Sequence, residues 1–149
     1  MKRMIVLLFC LGLILFSGCM LGDVHYSIKD IKQEGWEGDY VDINVARISR
    51  YGGGVGYSPE NNNYAFFVYD KSLIEKERPY HIPVVVSRRN IDFEPKEGDF
   101  INIERGELVE SKVDLTAFKQ ENWKYKKETG EQLIIMGRSV VRSERPTGW

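Results

Sequence analysis

Thirteen apolar or small residues run without interruption from Met4 to Phe16, preceded by Lys2 and Arg3 and followed by Ser17, Gly18 and Cys19. Coiled as a helix at ~1.5 Å per residue, such a run reaches about 20 Å, short of the roughly 30 Å hydrocarbon core of a bilayer. A basic start, an apolar middle and small residues at the end are the three parts of a cleaved secretory signal. Farther along, the pattern changes to that of strands. Val41, Ile43 and Val45 alternate with Asp42 and Asn44, the two-residue period of a half-buried strand. The phase then slips, with Ala46 and Ile48 becoming the apolar partners of Arg47 and Ser49. One extra residue, a β-bulge, would produce that slip and bend the first strand midway, as closing a small barrel requires.

The stretch Gly52–Asn63 is too rich in Gly, Pro and Asn to be other than a loop. A second strand is predicted over Tyr64–Tyr69 and a third over His81–Ser87, with Pro83 confined to an edge or a strand entrance because it cannot donate a ladder hydrogen bond. The turn Glu94–Asp99 precedes a fourth strand, Phe100–Glu104, with Gly106 as a bulge or bend, and the last strand spans Leu133–Val141 with Gly137 interrupting it. Residues 113–130 support two readings. Asp114 could cap a helix carrying Leu115, Phe118, Asn122 and Tyr125, whereas Trp123–Lys126 alternates and Glu128–Glu131 reads as a hairpin turn. The sequence favours a short helix or turn near Leu115–Gln120 followed by the hairpin. Residues 143–149 carry no apolar pattern and are expected to be a frayed, flexible tail.

The junction Leu15-Phe16-Ser17-Gly18-Cys19 resembles the lipobox of bacterial lipoprotein signal peptides, with Phe16 standing where leucine is commonest. The resemblance covers residues 1–19 and implies that the sulfur of Cys19 receives a diacylglycerol and that the peptide bond before it is cut. It also implies acylation of the new amino group, hence palmitate-type chains. Each buried methylene contributes ~0.8 kcal/mol, so two or three acyl chains hold a protein on a membrane almost permanently. The family's inner-membrane retention signal is an aspartate after the cysteine, and Met20 stands there instead. The expected location is the periplasmic face of the outer membrane, with the inner membrane as the alternative. No Ser/Gly/Pro tether follows Cys19, so the domain should sit close to the lipid.

Cysteine usage narrows the chemistry further. Cys10 leaves with the signal and Cys19 would be lipidated, so no thiol remains for disulfides, thiolate metal sites or nucleophilic catalysis. The mature chain of 131 residues is a comfortable single domain and carries 19 basic against 22 acidic side chains. Nothing in that balance suggests nucleic acid. His25 and His81 are the histidines of the chain, and neither has a second histidine at ligand spacing, so no metal and no cofactor are expected. No Gly-x-Ser-x-Gly or Ser-x-x-Lys arrangement occurs, and the Gly52–Gly56 cluster precedes no helix that could hold phosphate. The acid pairs Asp92/Glu94 and Glu97/Asp99 lie in an evident surface turn.

Five main strands, a bent first strand and a Gly-rich first connection resemble the OB-fold barrel across residues 39–142. The expected fold is therefore mainly β: a small five-stranded antiparallel, OB-like barrel with at most one short helix. The expected organisation is a signal peptide over residues 1–18, a lipidated N-terminus and short linker over 19–38, the barrel over 39–142 and the tail over 143–149. The OB resemblance implies ligand binding on the face of strands two and three, and so points to Tyr51, Tyr57, Tyr64, Tyr80, Arg88 and Arg89. Aromatic rings and guanidinium forks suit sugar rings, peptide backbone or carboxylates. The sequence thus reads as a non-enzymatic, lipid-anchored periplasmic module acting through an envelope protein partner. Binding of a glycan or peptidoglycan fragment by the Tyr/Arg face, and an inhibitor or exclusion role, are the alternatives.

Overall fold

The computed structural model describes residues 22–50, 53–73, 81–111 and 132–149. The expected signal segment, Cys19, Tyr51, Tyr80 and the ambiguous stretch 113–130 therefore lie outside the described residues. The chain order is β1 (Val24–His25), α1 (Ile28–Glu34), β2 (Tyr40–Ile48), β3 (Gly56–Ser58), β4 (Asn63–Tyr69), β5 (Ile82–Ser87), β6 (Phe100–Ser111), β7 (Gln132–Gly137) and β8 (Ser139–Arg142). Strands β2, β4, β5, β7 and β6 follow one another in space, and β6 pairs back onto β2. The result is a closed five-stranded, OB-like barrel. Its β5–β7 junction is parallel and the other junctions are antiparallel. Ile43, Ile48, Phe66, Val68, Val84, Ile101, Ile103 and Ile135 fill the interior.

The bend in β2 is where the phase slip predicts it. Val45 adopts φ 70°, and the β2–β6 register shifts between Ile43 and Ala46. A second shift, between Val41 and Ile43, belongs to β6, where Arg105 has φ 53°. The two bulges cancel: the pairs Val41↔Gly106 and Ala46↔Ile101 on either side share one register. Each bulge is held by a side chain of the opposite strand. Asn102 Oδ1 accepts the Val45 N–H at 3.0 Å, and Asp42 Oδ1 accepts the Arg105 N–H at 3.2 Å. Gly106 is needed for space, because a Cβ there would meet Ile135 Cγ2 at 2.9 Å.

Several elements depart from the expected boundaries. The fourth strand continues to Ser111, the interruption at Gly137 divides the last strand into β7 and β8, and the 52–63 loop contains β3, which pairs with β4. Residues 22–38 are no linker. Ser27 caps α1 by accepting the Asp30 N–H at 3.1 Å, and Ile28 and Ile31, three apart on one helix face, are both in the barrel core. Asp70, beyond β4, accepts the Ile28 N–H at 2.8 Å. β1 runs parallel to β2, beside its Tyr40–Val41 end. The tail is likewise docked rather than frayed. Ser143 donates its N–H to the Phe100 carbonyl at 2.7 Å, and the Trp149 ring meets Phe100 edge-on at 5.2 Å and Tyr69 at 5.9 Å.

Candidate binding surfaces

The face expected to bind ligand is largely closed. Tyr64–Val68 and Ile82–Val86 are buried without a break, so β4 and β5 are covered on both sides. Phe66, Val84 and Val86 point into the barrel, whereas Ala65, Val85 and Ile134 form a second apolar cluster with Val109 and Met136. An uninterrupted apolar run is the mark of a strand buried on both faces. What stays accessible is the end where β3 joins β4.

There the structure brings together three of the residues expected to bind. The Tyr57 and Tyr64 rings lie 5.0 Å apart at 45°, Arg88 Nη1 donates to Tyr64 Oη at 3.0 Å, and Tyr57 Oη donates to Asn62 Oδ1 at 2.7 Å. The Arg88 N–H also donates to the Asn62 carbonyl at 2.9 Å, which ties the β3–β4 turn to the end of β5. Tyr64 is buried and Tyr57 half-buried, while Arg88 and Arg89 are exposed. Arg89 lies beside this cluster, its Nε donating to Ser87 Oγ at 3.4 Å. Two tilted phenol rings in contact, with the guanidinium groups of Arg88 and its chain neighbour Arg89, offer an aromatic surface for a planar group and forked donors for a carboxylate.

A second recess lies between β2 and β6, at the paired bulges. It is an open cleft of about 290 Å³ lined by Tyr26, Asp42, Ile43, Asn44, Asn102, Ile103 and Glu104. Its polar residues alternate outward from the strands that bury Ile43 and Ile103. Asp42 and Asn102 each spend one oxygen on a bulge, and Glu104 accepts from Ser139 Oγ at 3.3 Å. The exposed Tyr26 ring stands at one wall.

The third locus was not anticipated. His25, 3% exposed, lies between two carboxylates, with Nε2 at 2.7 Å from Asp39 Oδ2 and Nδ1 at 2.8 Å from Asp30 Oδ2. Asp39 Oδ1 also accepts the Asp23 N–H at 3.0 Å and its Oδ2 the Trp36 N–H at 2.9 Å. Burial alone would lower the His25 pKa, but the hydrogen bonds to Asp39 and Asp30 and their negative charges outweigh it, and the imidazole titrates above its ordinary value. Burial would likewise raise Asp39, yet the bonds from His25 and from the Trp36 and Asp23 amides hold its carboxyl below the usual range. With both ring nitrogens engaged, His25 presents no lone pair to a metal or a substrate proton. It is a charged clasp joining β1, α1 and the turn before β2.

Among the described residues, no group of His, Cys, Asp and Glu side chains is disposed to hold a metal ion. Two acids of the 92–99 turn are engaged: Glu97 pairs with Arg50, and Asp99 Oδ2 accepts the Lys96 N–H at 2.9 Å. Comparison with family models, with curated proteins and with solved structures finds no match to this chain. Function therefore has to be argued from these surfaces and the N-terminal motif.

Proposed function

We propose that this chain is a non-enzymatic, lipid-anchored interaction module of the bacterial envelope. It would be held at Cys19 on the periplasmic face of the outer membrane and act through a protein partner at the Tyr57/Tyr64/Arg88 surface. The observation that carries this reading is the Leu15–Cys19 junction, which closes a thirteen-residue apolar run directly ahead of the folded barrel. Confinement near a membrane raises the effective concentration of a weak binding surface for a neighbouring partner. Metabolic labelling with an alkyne fatty acid tests the anchor. Label should enter the native chain and be absent from Cys19→Ser, which should accumulate at precursor mass; equal labelling of both refutes lipidation at Cys19. Photo-crosslinking in cells from a probe replacing Tyr57, with exposed Glu144 as control, tests the partner. A discrete protein adduct at Tyr57 alone is expected, and identical behaviour at the two positions removes the protein-partner reading.

The β2–β6 cleft favours a second reading, the binding of a glycan or peptidoglycan fragment. An exposed tyrosine ring beside two amides and two carboxylates is a set that can stack a sugar face and bond its hydroxyls. Retention on isolated murein, lost in Tyr26→Ala but kept in Tyr57→Ala, is the outcome that would select it.

A further inference from the structure

Large apolar side chains that are exposed among the described residues are Val24, Tyr26, Trp36 and Tyr40, at 43%, 68%, 75% and 38%. All of them fall between residues 24 and 40. In β6, β7 and β8, by contrast, no large apolar residue reaches that exposure. The four belong to adjacent elements. Val24 and Tyr40 are direct partners in the parallel β1–β2 pair, Tyr26 directly follows β1, and Trp36 opens the turn that leads into β2. Asp39 fixes these elements together, since its carboxylate accepts the Asp23 and Trp36 amides and the buried His25 ring. The patch is thus a preset platform rather than a set of loose side chains.

Its position along the chain indicates its occupant. Val24 lies five residues after Cys19. At most ~3.3–3.6 Å per residue, its backbone can stand no more than about 18 Å from the cysteine, whatever path the chain takes. A lipid on Cys19 would put that sulfur at the headgroup level, so this patch cannot leave the neighbourhood of the bilayer. Trp and Tyr are the side chains that favour this level, because one end of the ring is apolar and the other is wet. We infer that the Val24/Trp36/Tyr40 platform, with Tyr26 at its rim, seats the barrel on the headgroup layer of the membrane that holds its anchor. This inference rests on lipidation at Cys19. Where the platform ends, Asp42, Asn44 and Glu104 begin, a polar boundary that limits how deeply the barrel can settle.

The test uses the full mature lipoprotein, purified in detergent and reconstituted into phosphatidylethanolamine/phosphatidylglycerol vesicles. In matched vesicles the acyl chains are brominated near their headgroup ends. Two readouts are taken on one preparation: the mass of the N-terminal peptide, which reports acylation of Cys19, and quenching of tryptophan emission by the brominated lipid. The expected result is an acylated Cys19, quenching in the native protein and in a Trp123→Phe/Trp149→Phe chain, where Trp36 is the remaining tryptophan, and loss of the greater part of that quenching in Trp36→Phe. Trp36 is three-quarters exposed, so its replacement by phenylalanine should leave the fold intact, which far-ultraviolet circular dichroism checks. If Cys19 is acylated but Trp36→Phe quenches like the native chain, the seating is refuted while the anchor stands. If the emission of the Trp123→Phe/Trp149→Phe chain, which reports Trp36, is blue-shifted and unquenched, protein covers the platform and the inference also fails. An unmodified Cys19 overturns the anchor and, with it, the inference.

Discussion

At the scale of single residues, the His25 clasp makes the sharpest prediction. Removing one partner of a buried charged pair leaves the other uncompensated, which costs about 3–5 kcal/mol. His25→Gln should therefore lower the urea midpoint far more than Arg50→Gln, which breaks only the exposed pair with Glu97. The pH dependence follows from the direction of each shift. The His25 contribution is complete below the unfolded imidazole value, about 6.5, and fades as pH rises through the higher folded value. The Asp39 contribution is complete above the unfolded carboxyl value, about 3.9, and fades as pH falls through the lower folded value. The two overlap between roughly pH 4 and 6.5, so the clasp holds best in mild acid. Urea midpoints measured from neutral to alkaline pH should fall in the native chain and stay nearly flat in His25→Gln; equal slopes would refute the clasp. Val45 makes a prediction of opposite sign. A β-branched residue at φ 70° is strained, and asparagine tolerates that region. Val45→Asn should gain about 1 kcal/mol in chemical denaturation and Val45→Thr nothing.

At the scale of elements, legibility followed whether a signal was local. The β2 bulge was readable because a break in two-residue alternation is visible within nine residues, and Gly137 was readable because an isolated glycine marks a strand break. The compensating bulge at Arg105 was not, since only pairing with β2 reveals it. Helix α1 was legible in principle: Ser27 with Asp30 three residues later, followed by Ile31, is a capping pattern. It reads as a linker because seven residues are too few for the helical period to stand out. Of the expected binding residues, Tyr57, Tyr64 and Arg88 do converge, yet the closure of the β4–β5 face was missed. Its signal was the unbroken runs Tyr64–Val68 and Ile82–Val86, which read as strands without their second covered side being counted. The partner of α1 that sequence could not show is Asp70, 42 residues away from Ile28. Ser27→Ala should cost about 1 kcal/mol, as for other capping residues. Asp70→Ala should cost more, because it strips a charged acceptor from a buried N–H and from the Ser72 turn as well. Equal midpoints for the two variants in urea would show that the Ser27 cap alone holds the helix start.

At the scale of the whole molecule, the barrel and its N-terminal segment share one core. Residues 22–38 supply Ile28 and Ile31 to the core and His25, with Asp30, to the clasp. Fully burying each isoleucine contributes about 1.5–3 kcal/mol, so the two together rival the lower end of a domain's net stability, roughly 5 kcal/mol. A chain that begins at Asp39, the boundary suggested by strand patterning, forfeits this and leaves Asp39 without the His25 charge. It should lose cooperative thermal unfolding and expose surface to a hydrophobic dye, whereas a chain that begins at Gly22 should melt in a single transition. If both melt alike, residues 22–38 decorate the barrel and do not complete it. The expected outcome bears on location as well as stability. Were Cys19 lipidated as proposed, a folded body that starts three residues later would have no length of chain in which to tumble. Under that proposal its orientation to the membrane would be set by the same segment that closes its core, and the Tyr57/Tyr64/Arg88 surface would be presented from a fixed base.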